Sequence, residues 1–191
     1  MYKKKLYCGV GVNDVNYKTT VDGVKCPYHV RWKKMLMRCY SDKWKDAHPS
    51  YVGCTVCVEW LTFSNFRKWI IEQEVIHGTL YDMQLDKDII DPSNKMYSPD
   101  KCALVSKRVN TFVLDSGESR GEFPIGVTRR SNGRFSSSCS SPFGGKINLG
   151  TFETPEEAHE AWKSQKHIFA CQLAKVEHDP RIVMSLSVRY S

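Results

Sequence analysis

The stretch INLGTFETPEEAHEAWKSQKHIFACQLA, residues 147–174, predicts a strand followed directly by a long helix. Thr154 is a favourable N-cap, Pro155 fits the first helical position, and Glu157 completes a capping box. The face predicted to pack consists of Ala158, Ala161, Trp162, Gln165, Phe169 and Leu173. Because this face is mostly apolar, it suits a helix that lies on a small sheet.

The residues before this helix predict a three-stranded antiparallel sheet. Segments 123–130, 134–138 and 146–152 alternate or are rich in strand-forming residues. SNG at 131–133 and PFGG at 142–145 supply the two turns. The last third of the chain is therefore predicted to be a three-stranded antiparallel sheet packed on one helix, within an α+β fold.

The predicted sheet is basic. Between residues 123 and 152 there are Arg129, Arg130, Arg134 and Lys146, and there is no Asp or Glu. Antiparallel strands can enter the major groove of DNA, where arginine pairs with guanine and other side chains contact phosphates. We therefore predict an anion-binding face; the alternative is an ordinary αβ domain with solvated arginines.

Positive charge is concentrated near the N-terminus. The chain has a net charge of +7, and residues 1–53 alone carry 11 basic and 4 acidic side chains. This clustering favours a polyanionic partner, most simply double-stranded DNA, with RNA, an acidic host protein or a solvated basic face as alternatives. Pro27 predicts the start of a helix with one apolar side. Lys33, Lys34 and Arg38 lie outside the apolar stripe and are predicted to contact phosphates.

Apolar runs and cysteines restrict the class of protein further. No apolar run approaches the ~18 residues of a membrane span, and no apolar segment follows the basic N-terminal residues. We expect a cytoplasmic protein with no membrane partner and with free thiols. Cys54 and Cys57 alone have metal-type spacing, which disfavours a structural zinc unless Cys39, Cys102 or a histidine completes the site.

The middle of the chain has a mixed pattern. CTVCVEW predicts a strand, followed by a second helix that is capped by Thr62. LDKDIIDPSNKMYSPDKC, residues 85–102, predicts a strand, a loop and a short strand, and ALVSKRVNTFVL, residues 103–114, predicts a helix. Polar DSGESRGEF predicts a domain boundary near 116–122. The predicted organisation is an arm (1–25), a first domain (26–117), the sheet-plus-helix domain (118–175) and a tail (176–191).

IGVTRRSNGRFSSSC and the stretch 147–174 resemble the DNA-binding domain of the APETALA/ethylene-response-factor family. The shared features are Gly-Val, a basic strand, Gly-basic-aromatic, Leu-Gly-x-Phe-x-Thr and Glu-Glu-Ala. The resemblance implies that strand residues contact DNA while the helix supports the sheet. The matching positions are Arg129, Arg130 and Arg134, and more loosely Ser136, Ser138 and Lys146.

Residues 9–112 are similar to phage proteins in which an HNH, or His-Me finger, nuclease precedes such a domain. The similarity lies in GVGVND, CPYHVRWKKMLMRCYS, HPSYVGCTVCVEW, FSNFRKW and LDKDIIDPSNKMYSPDKCALVSKRVN. It implies a degenerate HNH-like ββα finger with flanking helices, one divalent ion and a general base on the hairpin. Asp86 falls on a metal-ligand position and Lys87 on that of the base. Lys101 and Lys107 replace the middle Asn and the final His.

These lysines alter the chemistry that the resemblance implies, because a charged lysine is a poor metal ligand. Alternation along a strand predicts Asp86 and Asp88 on one face, as ligands of Mg²⁺ or Mn²⁺, and Lys87 on the other face. Further catalytic oxygens are predicted from Asn94 and Asn110. His48, His77 or metal-bound water are the candidate bases. Two solvated acids, neutralised by Lys95 or Lys101, are the alternative.

We therefore predict a phage DNA endonuclease of the homing, HNH type, acting on double-stranded DNA in the cytoplasm of an infected bacterial cell. It is predicted to hydrolyse phosphodiester bonds weakly, through Asp86 and a divalent metal ion. The alternative is an HNH-derived protein that binds DNA or a host factor and does not cut.

Overall fold

A computed structural model describes residues 6–77, 82–114 and 122–191. The chain divides into two compact units, Met1–Leu104 and Val105–Ser191, and each is described by itself. The boundary predicted near 116–122 falls almost entirely on residues 115–121, outside the described residues. Within the described ranges, no helix is long and apolar enough to cross a membrane.

The first unit contains short strands and three helices in its described part. In chain order these are β1 (Thr20–Val21), β2 (Val24–Lys25), α1 (Pro27–Tyr40), α2 (Asp42–Ala47), β3 (Thr55–Val56), α3 (Phe63–His77), β4 (Met83–Asp86) and β5 (Met96–Tyr97), with single 3-10 turns at Pro49–Tyr51 and Glu59–Leu61. β6 (Ala103–Ser106) begins in this unit. The helix start at Pro27 is confirmed.

The core of the first unit forms where α1 meets α3. Trp32, Leu36, Phe63 and Phe66 are buried there, and the Trp32 indole Nε1 donates to the Trp60 carbonyl at 2.7 Å. The predicted N-terminal arm contributes to this packing through Tyr7, Val10 and Val15, which are partly buried against the core, and it ends in the exposed hairpin of β1 and β2. It also supplies Asp14, whose carboxylate accepts the Ser64 backbone N–H at 3.0 Å in the first turn of α3.

Segment 103–114 departs from its prediction as one helix. Its first four residues form β6, which pairs with β4, and only the remainder forms α4 (Lys107–Val113). A short buried run such as Ala-Leu-Val carries no periodicity that separates strand from helix. Ser106 ends the strand and caps the helix by accepting the Val109 N–H at 3.2 Å. Along the chain, the order is thus β4, a loop, the short strand β5, then β6 and α4.

The second unit contains the predicted three-stranded antiparallel sheet. Its strands are β7 (Val127–Arg129), β8 (Phe135–Ser140) and β9 (Lys146–Phe152), in the order β7-β8-β9. α5 (Pro155–Ala174) packs on the sheet and begins with the predicted capping box of Thr154 and Glu157. The fold is α+β, and the sheet on one helix is confirmed.

Two features tighten the packing of the second unit. A β-carbon on Gly126 would lie 2.1 Å from Cδ1 of Trp162, so only glycine fits between this turn and α5. The predicted tail forms α6 (Pro180–Val188), which packs on α5 and buries Ile182 and Leu186.

Candidate nucleic-acid interface and hairpin site

The side of the sheet turned away from α5, here called the open face, is defined by strand register. Ser137 and Cys139 of β8 are buried against the helix side. Because side chains alternate, Ser136 and Ser138 lie on the open face. Thr128 and Thr151 are the register partners of Ser136, so three hydroxyls stand side by side across the sheet.

The same register separates two neighbouring arginines. Arg129 is paired with Phe135, and Phe135 shares the helix side of β8 with Ser137. Arg130 follows one residue later, and its backbone N–H donates to the Arg134 carbonyl at 2.8 Å. Arg130 and Arg134 therefore belong to the open face, whereas Arg129, although exposed, lies on the other side of the sheet.

An acidic side chain contacts the open face, although residues 123–152 contain no Asp or Glu. Glu153, which follows β9, forms an ion pair with Arg134 at 2.7 Å. The Arg134 side chain is 44% exposed and the Glu153 side chain 72% exposed. Exposed pairs of this kind contribute about 0–1 kcal/mol, so a phosphate can displace Glu153. At the other end of the face, Lys146 is exposed and pairs in register with Ser140.

In the first unit, Asp86 ends β4 and organises the loop that follows. Its Oδ1 accepts the backbone N–H groups of Asp88 and Ile89, both at 2.7 Å. The strand therefore stops at Asp86, and alternation does not extend to Asp88. The prediction that Lys87 points away from Asp88 is wrong, because the two side chains form an ion pair.

Lys87 is buried, with 6% of its side chain exposed. Its Nζ donates to the Asp88 carboxylate and, at 3.2 Å, to the Asn94 carbonyl. The Tyr51 ring centroid lies 5.9 Å from the ammonium. Burial raises the pKa of the Asp88 carboxyl, and the ion pair with Lys87 acts in the opposite direction. At the position that the resemblance gives to a general base, the chain thus holds a fixed positive charge.

Asn94 closes the loop between β4 and β5. Its side-chain Nδ2 donates to the carbonyls of Lys87 and Met96, both at 2.8 Å, and its Oδ1 accepts the Met96 N–H at 3.0 Å. The residue is only 7% exposed. All three contacts are to backbone, so the amide predicted to serve as a catalytic oxygen donor holds the loop instead.

These donors fit a divalent ion poorly as they stand. Oδ1 of Asp86 already accepts two backbone N–H groups, and the Asp88 carboxylate is already ion-paired with the Lys87 ammonium. Among the described residues, no group of three or more His, Cys, Asp and Glu side chains could hold a metal ion.

The remaining predicted catalytic residues belong to other elements of the chain. Asn110 is in α4, in the second unit. His48 follows α2, where its ring packs against Trp44 with the centroids 4.2 Å apart. The side chain of His77 lies outside the described residues.

The basic residues of α1 lie in two different surroundings. Arg31, Lys34 and Arg38 line a cavity of about 260 Å³ with Met83–Leu85 of β4. The Arg31 guanidinium donates to the Met83 carbonyl at 2.6 Å. Lys33 instead places its Nζ 4.6 Å from the Tyr7 ring centroid. Arg31, Lys34 and Arg38 share one side of α1 because they are spaced by three and four residues.

Compared with protein-family models, with curated protein sequences and with solved structures, the chain matches none of them. Both family resemblances therefore stay predictions.

Proposed function

We propose that this protein binds duplex DNA through the open face of its second unit and does so without cutting it. The observation that carries the proposal is the placement of Arg130 and Arg134 beside each other at one end of a face whose middle carries the hydroxyl groups of Thr128, Ser136 and Thr151 and whose other end carries Lys146. Arginine reads guanine and binds phosphate, while Ser and Thr hydroxyls bind either bases or phosphates.

The state of the hairpin supports binding without cleavage. Catalysis on a phosphodiester needs a base or a metal-activated water beside the scissile bond. Here the base position holds the buried Lys87 ammonium, and Asn94 is engaged by the backbone. The ammonium is paired with the Asp88 carboxylate and so weakens the attraction of this carboxylate for a bound cation.

The proposal is tested by fluorescence anisotropy of the full chain on labelled duplex over a salt series. Arg130, Arg134 and Lys146 together contribute about −2.7 to the slope of log affinity against log salt, at about 0.9 per phosphate. The double variant Arg130→Gln/Arg134→Gln should make this salt slope shallower by about 1.8. Arg129→Gln is the matched control, because it removes one charge from the other side of the sheet. Equal losses in Arg129→Gln and Arg130→Gln would refute the assignment of the face.

Metal-dependent cleavage is the second candidate, favoured by the fixed orientation of Asp86 at the end of β4. Its test is nicking of supercoiled plasmid with Mg²⁺ or Mn²⁺, with and without chelator. Asp86→Asn should abolish nicking, whereas Asp91→Asn, an exposed acid in the same loop, should not. This candidate is refuted if the wild-type chain does not nick the plasmid, or if Asp86→Asn nicks it at the wild-type rate.

A further inference from the structure

A second basic cluster of the second unit surrounds a cavity of about 400 Å³. Its lining comes from α4, α5 and the end of β8, and includes Lys107, Arg108, Phe112, Ser140, Ser141 and Lys166. No Asp or Glu is among the lining residues. A concave site with three cations, the three hydroxyls of Thr111, Ser140 and Ser141, and no acid is chemically suited to an anion.

The charge of Lys166 is poorly compensated. Its Nζ donates to the Phe112 carbonyl at 2.7 Å and lies 3.5 Å from the Phe112 ring centroid. Burial lowers its pKa to about 8, and the positive charge of Arg189 acts in the same direction. An anion in the cavity would therefore stabilise the protonated amine, as a partner of opposite charge does.

The cavity lies at the opposite end of β8 from the two arginines of the open face. Arg134 directly precedes β8, and Ser140 is its last residue. β8 has six residues, which span about 20 Å at about 3.3 Å per residue. The major groove is about 12 Å wide between backbones, so a strand of this length reaches the phosphates on both sides of the groove.

We propose that the cavity of Lys107, Arg108 and Lys166 binds a backbone phosphate of DNA, on the far side of the groove from Arg130 and Arg134. This inference rests on the proposed function of the open face. Lys107 and Arg108 are exposed and donate to the phosphate oxygens. Lys166 lies beneath them as a half-buried charge, and the Ser140 and Ser141 hydroxyls complete the donors.

The experiment compares the full-length Lys107→Gln and Arg108→Gln variants with Lys175→Gln, which removes an exposed charge at the end of α5. Loss of one phosphate contact makes the salt slope shallower by about 0.9. Between 50 and 200 mM salt, the affinity of the wild type should therefore fall about 3.5-fold more than that of the cavity variants. Lys175→Gln should behave as wild type.

A second measurement avoids substitution altogether. Acetylation of Lys166, followed by mass spectrometry, should slow when duplex DNA is added, while acetylation of Lys175 in the same sample continues. If inorganic phosphate protects Lys166 and saturating DNA does not, the cavity takes a free anion and the inference is overturned.

The outcomes separate the two proposals. If the wild-type chain shows no salt-dependent binding to duplex, the proposed function fails, and the inference fails with it. If Arg130→Gln and Arg134→Gln weaken binding but Lys107→Gln and Arg108→Gln match Lys175→Gln, only the phosphate site is overturned. If both sets flatten the salt slope and DNA protects Lys166, both proposals are supported.

Discussion

Asn94 should be among the most sensitive positions of the first unit, because it satisfies three backbone groups of the loop after β4. Replacing Asn94 by Ala leaves the carbonyls of Lys87 and Met96 without their donor and the Met96 N–H without its acceptor. The side chain is 7% exposed, so water reaches these groups only if the loop opens. The substitution therefore acts on the conformation of the loop as well as on its stability.

The expected loss of stability follows from those contacts. Each hydrogen bond contributes about 1 kcal/mol net, and an unsatisfied buried group costs about 1–3 kcal/mol. Partial opening of the loop lets some groups hydrate, so we expect Asn94→Ala to lower the free energy of unfolding of the first unit by about 2–3 kcal/mol. The measurement is urea unfolding of the full chain followed by tryptophan fluorescence, since Trp32 and Trp60 are buried in this unit.

Ser93→Ala is the matched control for this substitution. Ser93 is adjacent and exposed, and its hydroxyl donates only to the neighbouring Asp91 carboxylate, at 2.7 Å. We expect an effect within about 0.5 kcal/mol, as for other surface changes. Asn94→Ala with an unfolding midpoint equal to that of Ser93→Ala would show that the loop is not held by this side chain.

Three further predictions concern other parts of the chain. Gly126→Ala should destabilise the second unit by about 2–4 kcal/mol in thermal unfolding, because its φ of +84° and the contact with Trp162 both resist a β-carbon. Between about pH 8 and 9.5 Lys166 should contribute a rise to the free energy of unfolding of the wild type, because its pKa is lowered to about 8 and the folded chain then binds fewer protons at this amine than the unfolded one, whereas the raised pKa of the Cys139 thiol acts in the opposite direction. Lys166→Met should lose that rise, while the Cys139 thiol, Tyr190 and Arg189 around it stay as they are. Changing Lys34 and Arg38 to Gln should weaken binding to every duplex by a similar factor in anisotropy titrations; a selective loss at one sequence would contradict a phosphate role.

Local signals in the sequence were sufficient where one segment decides its own structure. Thr154 and Glu157 define the start of α5 by hydrogen bonding within a single turn, with Pro155 at the start of the helix. Pro27 starts α1 without a side-chain cap, because its fixed φ suits the first helical position. The turn sequences likewise separate the three strands of the sheet. Asp22 and Gly23, in the hairpin of the arm, carried the same kind of signal and were missed.

The rest depended on partners distant in sequence or on where a strand ends. β6 is a strand because it pairs with β4, and no property of Ala-Leu-Val-Ser alone decides this. Arg129 and Arg130 fall on different sides of the sheet only once Phe135 is known as the partner of Arg129. Lys87 meets Asp88 because the carboxylate of Asp86 accepts two loop amides and the strand ends at Asp86, two residues before Asp88.

Lys87 provides a direct test of why the hairpin fits a cation poorly. If its ammonium is what keeps a divalent ion from Asp86 and Asp88, then Lys87→Met should expose a carboxylate site while the buried aliphatic stem still packs. Titration calorimetry with Mn²⁺ should then show tighter binding to Lys87→Met than to the wild type. The double variant Lys87→Met with Asp86→Asn should lose that gain, because the amide supplies no charge. Arg130→Gln lies in the other unit and serves as the control for a general change in net charge. Equal Mn²⁺ affinity in the wild type and Lys87→Met would show that the two carboxylates, and not the lysine, are unsuited to the ion.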